Sequence, residues 1–306
     1  MLRLALSRAA AAAPVLFIIV LLTFLLMRLA PGGPFDAERT LDPQIEANLR
    51  RIYRLDLPLT QQFWLYLVHL VQGDFGPSFH WRDFSVNELL AKALPISMRL
   101  GAEAMIIALT VGSALGIAGA SSPRGIGARL VDGVALFGLA IPPLVVAPLL
   151  QLGFGLGLHA LPVGGWNGGA WRNQVLPAMT LALPLTAAVA RLTQAALSDV
   201  LSMPHIRTLR GFGFPSWRIY AHALRSALLP VLSYLGLAAA NILTGSIIIE
   251  TIFGIPGMGR YFIDGALGRD YTLVMATVII VAALVLLFNL LVDLTYAWLD
   301  PRVRDG

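Results

Sequence analysis

The chain has 306 residues, 57% of them apolar, 13% charged and none cysteine, with a mean hydropathy of +0.76. A soluble domain carries about 25% charged and 45–50% apolar residues, so this balance excludes an ordinary soluble enzyme; it also excludes a disordered chain, which needs low hydrophobicity and high charge. The missing cysteine removes disulfide scaffolds, thiolate metal sites and cysteine nucleophiles, the net charge of +5 points to nucleic acid or a membrane, and Lys92, the only lysine, precedes Ala93, which excludes a P-loop with its Lys-Ser or Lys-Thr.

A bilayer-crossing helix needs roughly 20 mostly apolar residues, and six runs of this sequence qualify. The first, Ala9 to Ala30, follows Arg3 and Arg8. It exceeds the roughly 7–15 apolar residues of a signal peptide and no small-x-small site follows, so it reads as an uncleaved first span. Residues 31–97 form a long loop that carries helices of its own. Asp42-Pro43 reads as an N-cap with proline at the first helical position. Ile45, Leu49, Ile52 and Leu55 then recur on one helical face. A second apolar run, Phe63 to Val71, ends at Gly73, and Gly73-Asp74-Phe75-Gly76-Pro77 predicts a turn. This insertion is either a helical cap on the ends of the spans or a docking surface for an extracytoplasmic partner.

The second run is Leu100 to Ala120, the third Leu130 to Leu156 and the fourth Gln174 to Ser198. The fifth is Ser226 to Phe253 and the sixth Thr272 to Leu299. They are apolar all round, as helices in lipid are. Prolines crowd the middle runs: Pro142, Pro143 and Pro148, then Pro177 and Pro184, then Pro230. Such kinks persist in lipid where neighbours or water satisfy the freed carbonyls. Gly112, Gly116 and Gly119, and Gly236 with Ala238, Ala239 and Ala240, let helices approach closely. The pattern predicts an all-α membrane protein of six transmembrane helices, tightly packed and bent at its centre.

Few ionisable groups fall within or near the spans: Arg28, Arg99, Glu103, Asp132, Arg191, Glu250 and Asp293. Intramembrane charge is expensive and by default functional. Most of these groups sit near an end; Arg28 and Arg191 can snorkel, and Glu103 has the i, i+4 spacing to pair with Arg99. Asp293 is the deepest candidate. No chain of carboxylates resembles a proton relay. The five histidines, His69, His80, His159, His205 and His222, have no metal-ligand spacing, and no HExxH or Gly-x-Ser-Gly occurs. No catalytic residue, metal site or cofactor is therefore expected.

Arginine placement predicts orientation. Arg3, Arg8, Arg124, Arg129, Arg207, Arg210, Arg218, Arg225, Arg302 and Arg304 fall on one side, against Arg172, Arg260 and Arg269 in the short loops of the other. By the positive-inside rule both termini are cytoplasmic. The chain then divides into the first span and its N-terminus (1–30), an extracytoplasmic helical loop (31–97) and a five-helix core (98–306).

The most informative loop is cytoplasmic, residues 199–225, and basic. A short helix running to Gly213 is expected there, with glycine as C-cap and Pro215 two residues on. Ser216 then caps a helix that runs through Ile219 and His222 into Pro230. Helix, glycine turn, helix makes a knob that another protein can grip; alternatively the loop is basic only because of its side of the membrane.

Set against known families, the loop resembles the hallmark of the permeases of bacterial ABC importers, Glu-Ala-Ala-x-x-x-Gly followed after a gap by Ile-x-Leu-Pro. Arg207-Thr208-Leu209-Arg210-Gly211-Phe212-Gly213 takes that place, and Leu228-Leu229-Pro230 its end. The Glu and both Ala are replaced and the Gly is kept; arginine at the glutamate place is similar to the peptide-importing branch. Further stretches resemble that branch, closest to the B-type subunit of oligopeptide permeases. They are Met27-Arg28-Leu29-Ala30-Pro31-Gly32, Gly73 to Phe79, Gly164-Gly165-Trp166-Asn167-Gly168-Gly169, Ile249 to Gly259, and Asn289 through Asp300-Pro301-Arg302.

The resemblance implies a type I ABC importer permease fold in the bacterial inner membrane. It implies a second homologous permease, two cytoplasmic ATP-binding subunits and an extracytoplasmic peptide-binding protein as partners. Peptide is the cargo, lipid the surroundings, and nucleic acid no partner. Arg207, Thr208, Leu209, Arg210, Gly213 and Pro230 would couple the chain to an ATPase. Ser233, Asn241, Thr244 and Ser246 are polar candidates for lining the pathway, with interhelical hydrogen bonds as the other use of such groups. The same fold serves dipeptides, nickel and glutathione. An ion-coupled carrier would instead show midplane acidic pairs and inverted repeats.

Overall fold

The computed structural model describes residues 2–29, 56–81 and 83–299. The helix expected from Asp42 and the segment from Asp300 lie outside them. Apart from an isolated bridge between Pro77 and Ser85, the regular structure among the described residues is helical. In chain order come α1 (Leu2–Leu29), α2 (Leu59–Val71), α3 (Val86–Ser121), α4 (Ile126–Ala140) and α5 (Pro143–Leu150), which continues as a π-helical segment (Gln151–Gly157). Then follow α6 (Trp171–Ser202), α7 (Pro204–Gly211), α8 (Ser216–Phe253), α9 (Met258–Leu267) and α10 (Tyr271–Leu299).

Among the described residues, α1, α3, α6, α8 and α10 each contain a stretch long and apolar enough to cross a membrane. The third expected run is not one helix. It is the pair α4 and α5 with its π-helical extension, bent by 105°. Pro142 and Pro143 explain the break. Neither has an N–H to donate, and a residue before proline is pushed to extended backbone. Ile141 accordingly has φ −95° and ψ 119°, Pro142 φ −59° and ψ 141°, and Pro143 opens the next helix. Single prolines do less: α6 runs helical through Pro177 and Pro184, and α8 through Pro230. The helices begin before their apolar runs, most of all α3 at Val86, α8 at Ser216 and α1 at Leu2.

The chain divides into two compact units. The larger comprises Met1–Arg8, Met98–Ile255 and Val285–Gly306. In it α6 packs along both α4 and α8. Glycine permits a close approach: a Cβ on Gly116 of α3 would stand 2.5 Å from the Thr193 Cβ and 2.7 Å from the Ala190 carbonyl of α6. Ala108, Leu185, Ala238 and Ile242 form a small core of three helices. The Arg8 Nε meets Asp293 at 3.2 Å, giving the deepest expected carboxylate a partner. Arg99 and Glu103 pair at 3.1 Å, as their spacing predicts.

The smaller unit comprises Ala9–Ser97 and Pro256–Leu284. Phe63 of α2 packs its ring 6.0 Å from that of Phe17 and 5.2 Å from that of Phe24, both on α1. Gly73 and Gly76 have φ of 77° and 87°, in the turn expected there. Val86, Leu89, Leu90 and Ala93 of α3 pack with Met258 of α9 and Leu273 and Ala276 of α10. Asp270, fully buried, clasps this unit. Its carboxylate accepts the Ser78 hydroxyl, the Phe79 and His80 amides at 3.0 and 3.2 Å, and the Leu273 amide at 3.1 Å.

Candidate functional site

The candidate coupling knob is α7 and the turn that follows it. Met203 is extended, with φ −67° and ψ 149°, and Pro204 begins the helix, where its missing N–H costs nothing. Ile206, fully buried, anchors the knob among Leu197, Val200 and Leu201 of α6, Ile219, Ala223 and Ala227 of α8, and Ala120 of α3. Leu209 packs against the same cluster. The helix ends in a Schellman motif. The Phe214 amide donates to the Leu209 carbonyl at 3.2 Å and the Gly213 amide to that of Arg210 at 3.0 Å, with Gly213 left-handed at φ 74°.

Burying Ile206 and Leu209 turns the opposite face outward. Arg207, Thr208 and Arg210 are exposed there, beside Gly213. Phe212 and Trp217 extend the surface, 76% and 67% exposed. The structure thus brings five of the six expected coupling residues onto one short element. Pro230 does not join them; it lies in the interior of α8, roughly 21 Å along the axis from Ser216 at about 1.5 Å per residue. Ser216 differs from its expected role. Pro215 holds the cap position and Ser216 is the first helical residue, with no side-chain cap bond. The rings of His205 and His222 stand 6.2 Å apart across α7 and α8.

The polar candidates on α8 do not share one environment. Ser233 is exposed and donates to the Leu229 carbonyl at 3.1 Å. Ser246 is buried, 3% exposed. The side chains of Asn241 and Thr244 lie outside the described ones. The sequence reading missed an apolar cavity of about 250 Å³ lined by Met98, Gly101, Met105, Ala239, Ile242 and Phe288. Three helices far apart in sequence form it, so no local pattern announces it. Among the described residues no group of three or more His, Cys, Asp or Glu is placed to hold a metal ion.

Family comparison decides what kind of protein carries this knob. The model of the binding-protein-dependent transport system inner membrane component matches residues 112–305, and that of the N-terminal part of such membrane components matches residues 1–100. The chain belongs to this family. It is a multi-pass permease component of the inner membrane. It is 48% identical over 305 residues to the oligopeptide transport system permease protein OppB of Escherichia coli K12, covering 99% of this chain and 100% of that one. OppB of Haemophilus influenzae is 44% identical over 305 residues, with the same coverage. The dipeptide transport system permease protein DppB of Bacillus subtilis is 38% identical, covering 99% of this chain and 98% of its own. The knob, residues 204–213, falls within the matched inner-membrane component.

Proposed function

We propose that this permease is one half of the membrane pathway of an ATP-driven oligopeptide importer. It pairs with a second, homologous permease; two ATP-binding subunits grip the two permeases from the cytoplasm, and a peptide-binding protein delivers cargo from the other side. Likeness to OppB at 48% identity supports oligopeptides over dipeptides, since the dipeptide relative stands at 38%. Both termini and α7 lie in the cytoplasm on this reading, which rests on the arginine bias.

The knob is the observation that carries the mechanism. A short helix pinned by Ile206 and stopped by left-handed Gly213 is a stiff handle with a basic face. Arg207 and Arg210 suit carboxylates on an ATPase, because guanidinium forks bind them in fixed geometry. ATP binding draws the ATPases together, and the handles transmit that movement to a bundle with two stable arrangements. The chain itself contributes no ATPase site, its single lysine fitting no P-loop. Ser233, Asn241, Thr244 and Ser246 remain candidates for weak contacts with the passing peptide.

ATP-driven uptake of a labelled tripeptide into vesicles holding the whole complex tests this. Arg207→Glu is expected to abolish stimulation by ATP while leaving the chain in the membrane. Unchanged uptake in that variant sinks the coupling assignment. Peptide accumulation by the isolated chain on a proton gradient favours a secondary carrier instead.

A further inference from the structure

Two opposite charges stand side by side in the larger unit without meeting. Close approaches at two glycines fix their levels. A Cβ on Gly138 would stand 2.8 Å from the Ala187 Cβ, and one on Gly119 would stand 3.0 Å from both Val131 Cγ2 and Gln194 Cδ. α4 and α6 therefore run antiparallel, with Gly138 level with Ala187 and Val131 level with Gln194. On that register Asp132 lies opposite Thr193 and Arg191 opposite Val134. At about 1.5 Å per residue the two charges differ in height by roughly 3 Å. Yet among the described residues neither enters an ion pair or a side-chain hydrogen bond.

Both are exposed instead. With Ala135, Leu136, Leu139 and Ala140 they line a groove of about 380 Å³. Leu136 and Leu139 on its wall are 66% and 51% exposed. Charges carried by membrane-crossing helices pair with one another or face water, because leaving them unanswered is expensive. Acyl chains answer neither Asp132 nor Arg191; snorkelling to water is one way out for Arg191. A homologous chain that carries an acid and a base at the matching positions answers both, because a two-fold axis through the groove would set that base on Asp132 and that acid on Arg191 and bury Leu136 and Leu139 against the partner.

We propose that the Asp132–Arg191 groove between α4 and α6 is the contact surface for the second, homologous permease, each charge being answered by the opposite charge of the partner. This rests on the two-permease reading above. It explains why an acid and a base at one level of one chain are left apart.

The test uses the complex, with this chain tagged and co-expressed with its partner permease and ATPases, then purified in detergent. Asp132→Arg and Arg191→Asp are each expected to lower partner recovery roughly thirtyfold or more, the scale of breaking a desolvated interface charge pair. The double variant, D132R/R191D, is expected to be as weak as either single, because both new charges meet their own kind. Restored recovery in the double variant shows that the two charges serve each other within one chain and overturns the proposal. Full recovery in both singles also overturns it; a raised KM for peptide in those variants then assigns the groove to the peptide. Asp132→Asn and Arg191→Gln guard against misfolding: wild-type melting of the isolated chain with reduced partner recovery supports the interface. A wild-type chain that recovers no second permease refutes the pairing itself, a result distinct from failure at the groove.

Discussion

Gly213 offers a perturbation whose size follows from its geometry. Its φ is 74°, and a Cβ there meets nothing within 4 Å. An L side chain therefore costs backbone strain alone, about 1–2 kcal/mol in the left-handed region, with asparagine at the low end. Proline costs more. Its ring fixes φ near −65°, and it removes the N–H that bonds the Arg210 carbonyl at 3.0 Å, together at least ~3 kcal/mol. If an ATPase grips α7 only in this shape, each ~1.4 kcal/mol of strain lowers the coupled population about tenfold. ATP-driven uptake of labelled tripeptide is then expected to fall in the order Gly, Asn, Ala, Pro. Alanine should lose roughly five- to thirtyfold by the same conversion, and proline should reach background. Initial rates at saturating ATP measure this, with co-purification of the ATPases read in parallel. Wild-type uptake by Gly213→Ala, or proline importing as well as asparagine, refutes the need for a left-handed stop at this position.

Three further outcomes are expected. Asp270→Ala leaves the Ser78 hydroxyl and the Phe79, His80 and Leu273 amides without their acceptor; the loss is about 3–5 kcal/mol, a fall of roughly 6–20 °C in detergent melting, with Asp270→Asn recovering part of it. Gly116→Ala forces apart helices already in contact with the added Cβ at 2.5 Å and costs about 1–3 kcal/mol, read in the same melting assay; an unchanged midpoint means the helices slide apart freely. Arg8→Ala, by contrast, breaks a pair whose side chains are 56% and 36% exposed, so after solvent screening it is worth at most ~1 kcal/mol and should move the midpoint by only a few degrees.

Features set by neighbours in sequence were legible. The apolar runs became spans because their length matches the bilayer, and the Arg99–Glu103 pair followed from helical spacing. Gly213 ended its helix as its place before Phe214-Pro215 suggested. The break at Pro142-Pro143 was harder to read, because hydropathy registers side chains while the break comes from two missing amide protons. Ser216 looked like a cap because its side chain is one; Pro215 takes the place because its φ of −65° and ψ of 144° already turn the chain into α8. The Asp270 clasp joins residues about 190 positions apart, and the Asp132–Arg191 groove needs the α4–α6 register, so neither leaves a local signal. Of the candidate site, the coupling residues were legible as one contiguous segment, while the apolar cavity was assembled from three distant ones.

The break between α4 and α5 also has a mechanical side. Proline at 142 and 143 leaves the carbonyls of Gly138 and Leu139 without the donors that a straight helix would give them. The two arms are joined through the torsions of Ile141 and Pro142, at ψ 119° and 141°. Opening or closing the 105° elbow therefore gives up no hydrogen bond donated by either proline. On the proposed two-state mechanism, the bundle has at this elbow a joint whose stiffness is set by side-chain packing rather than by the backbone ladder.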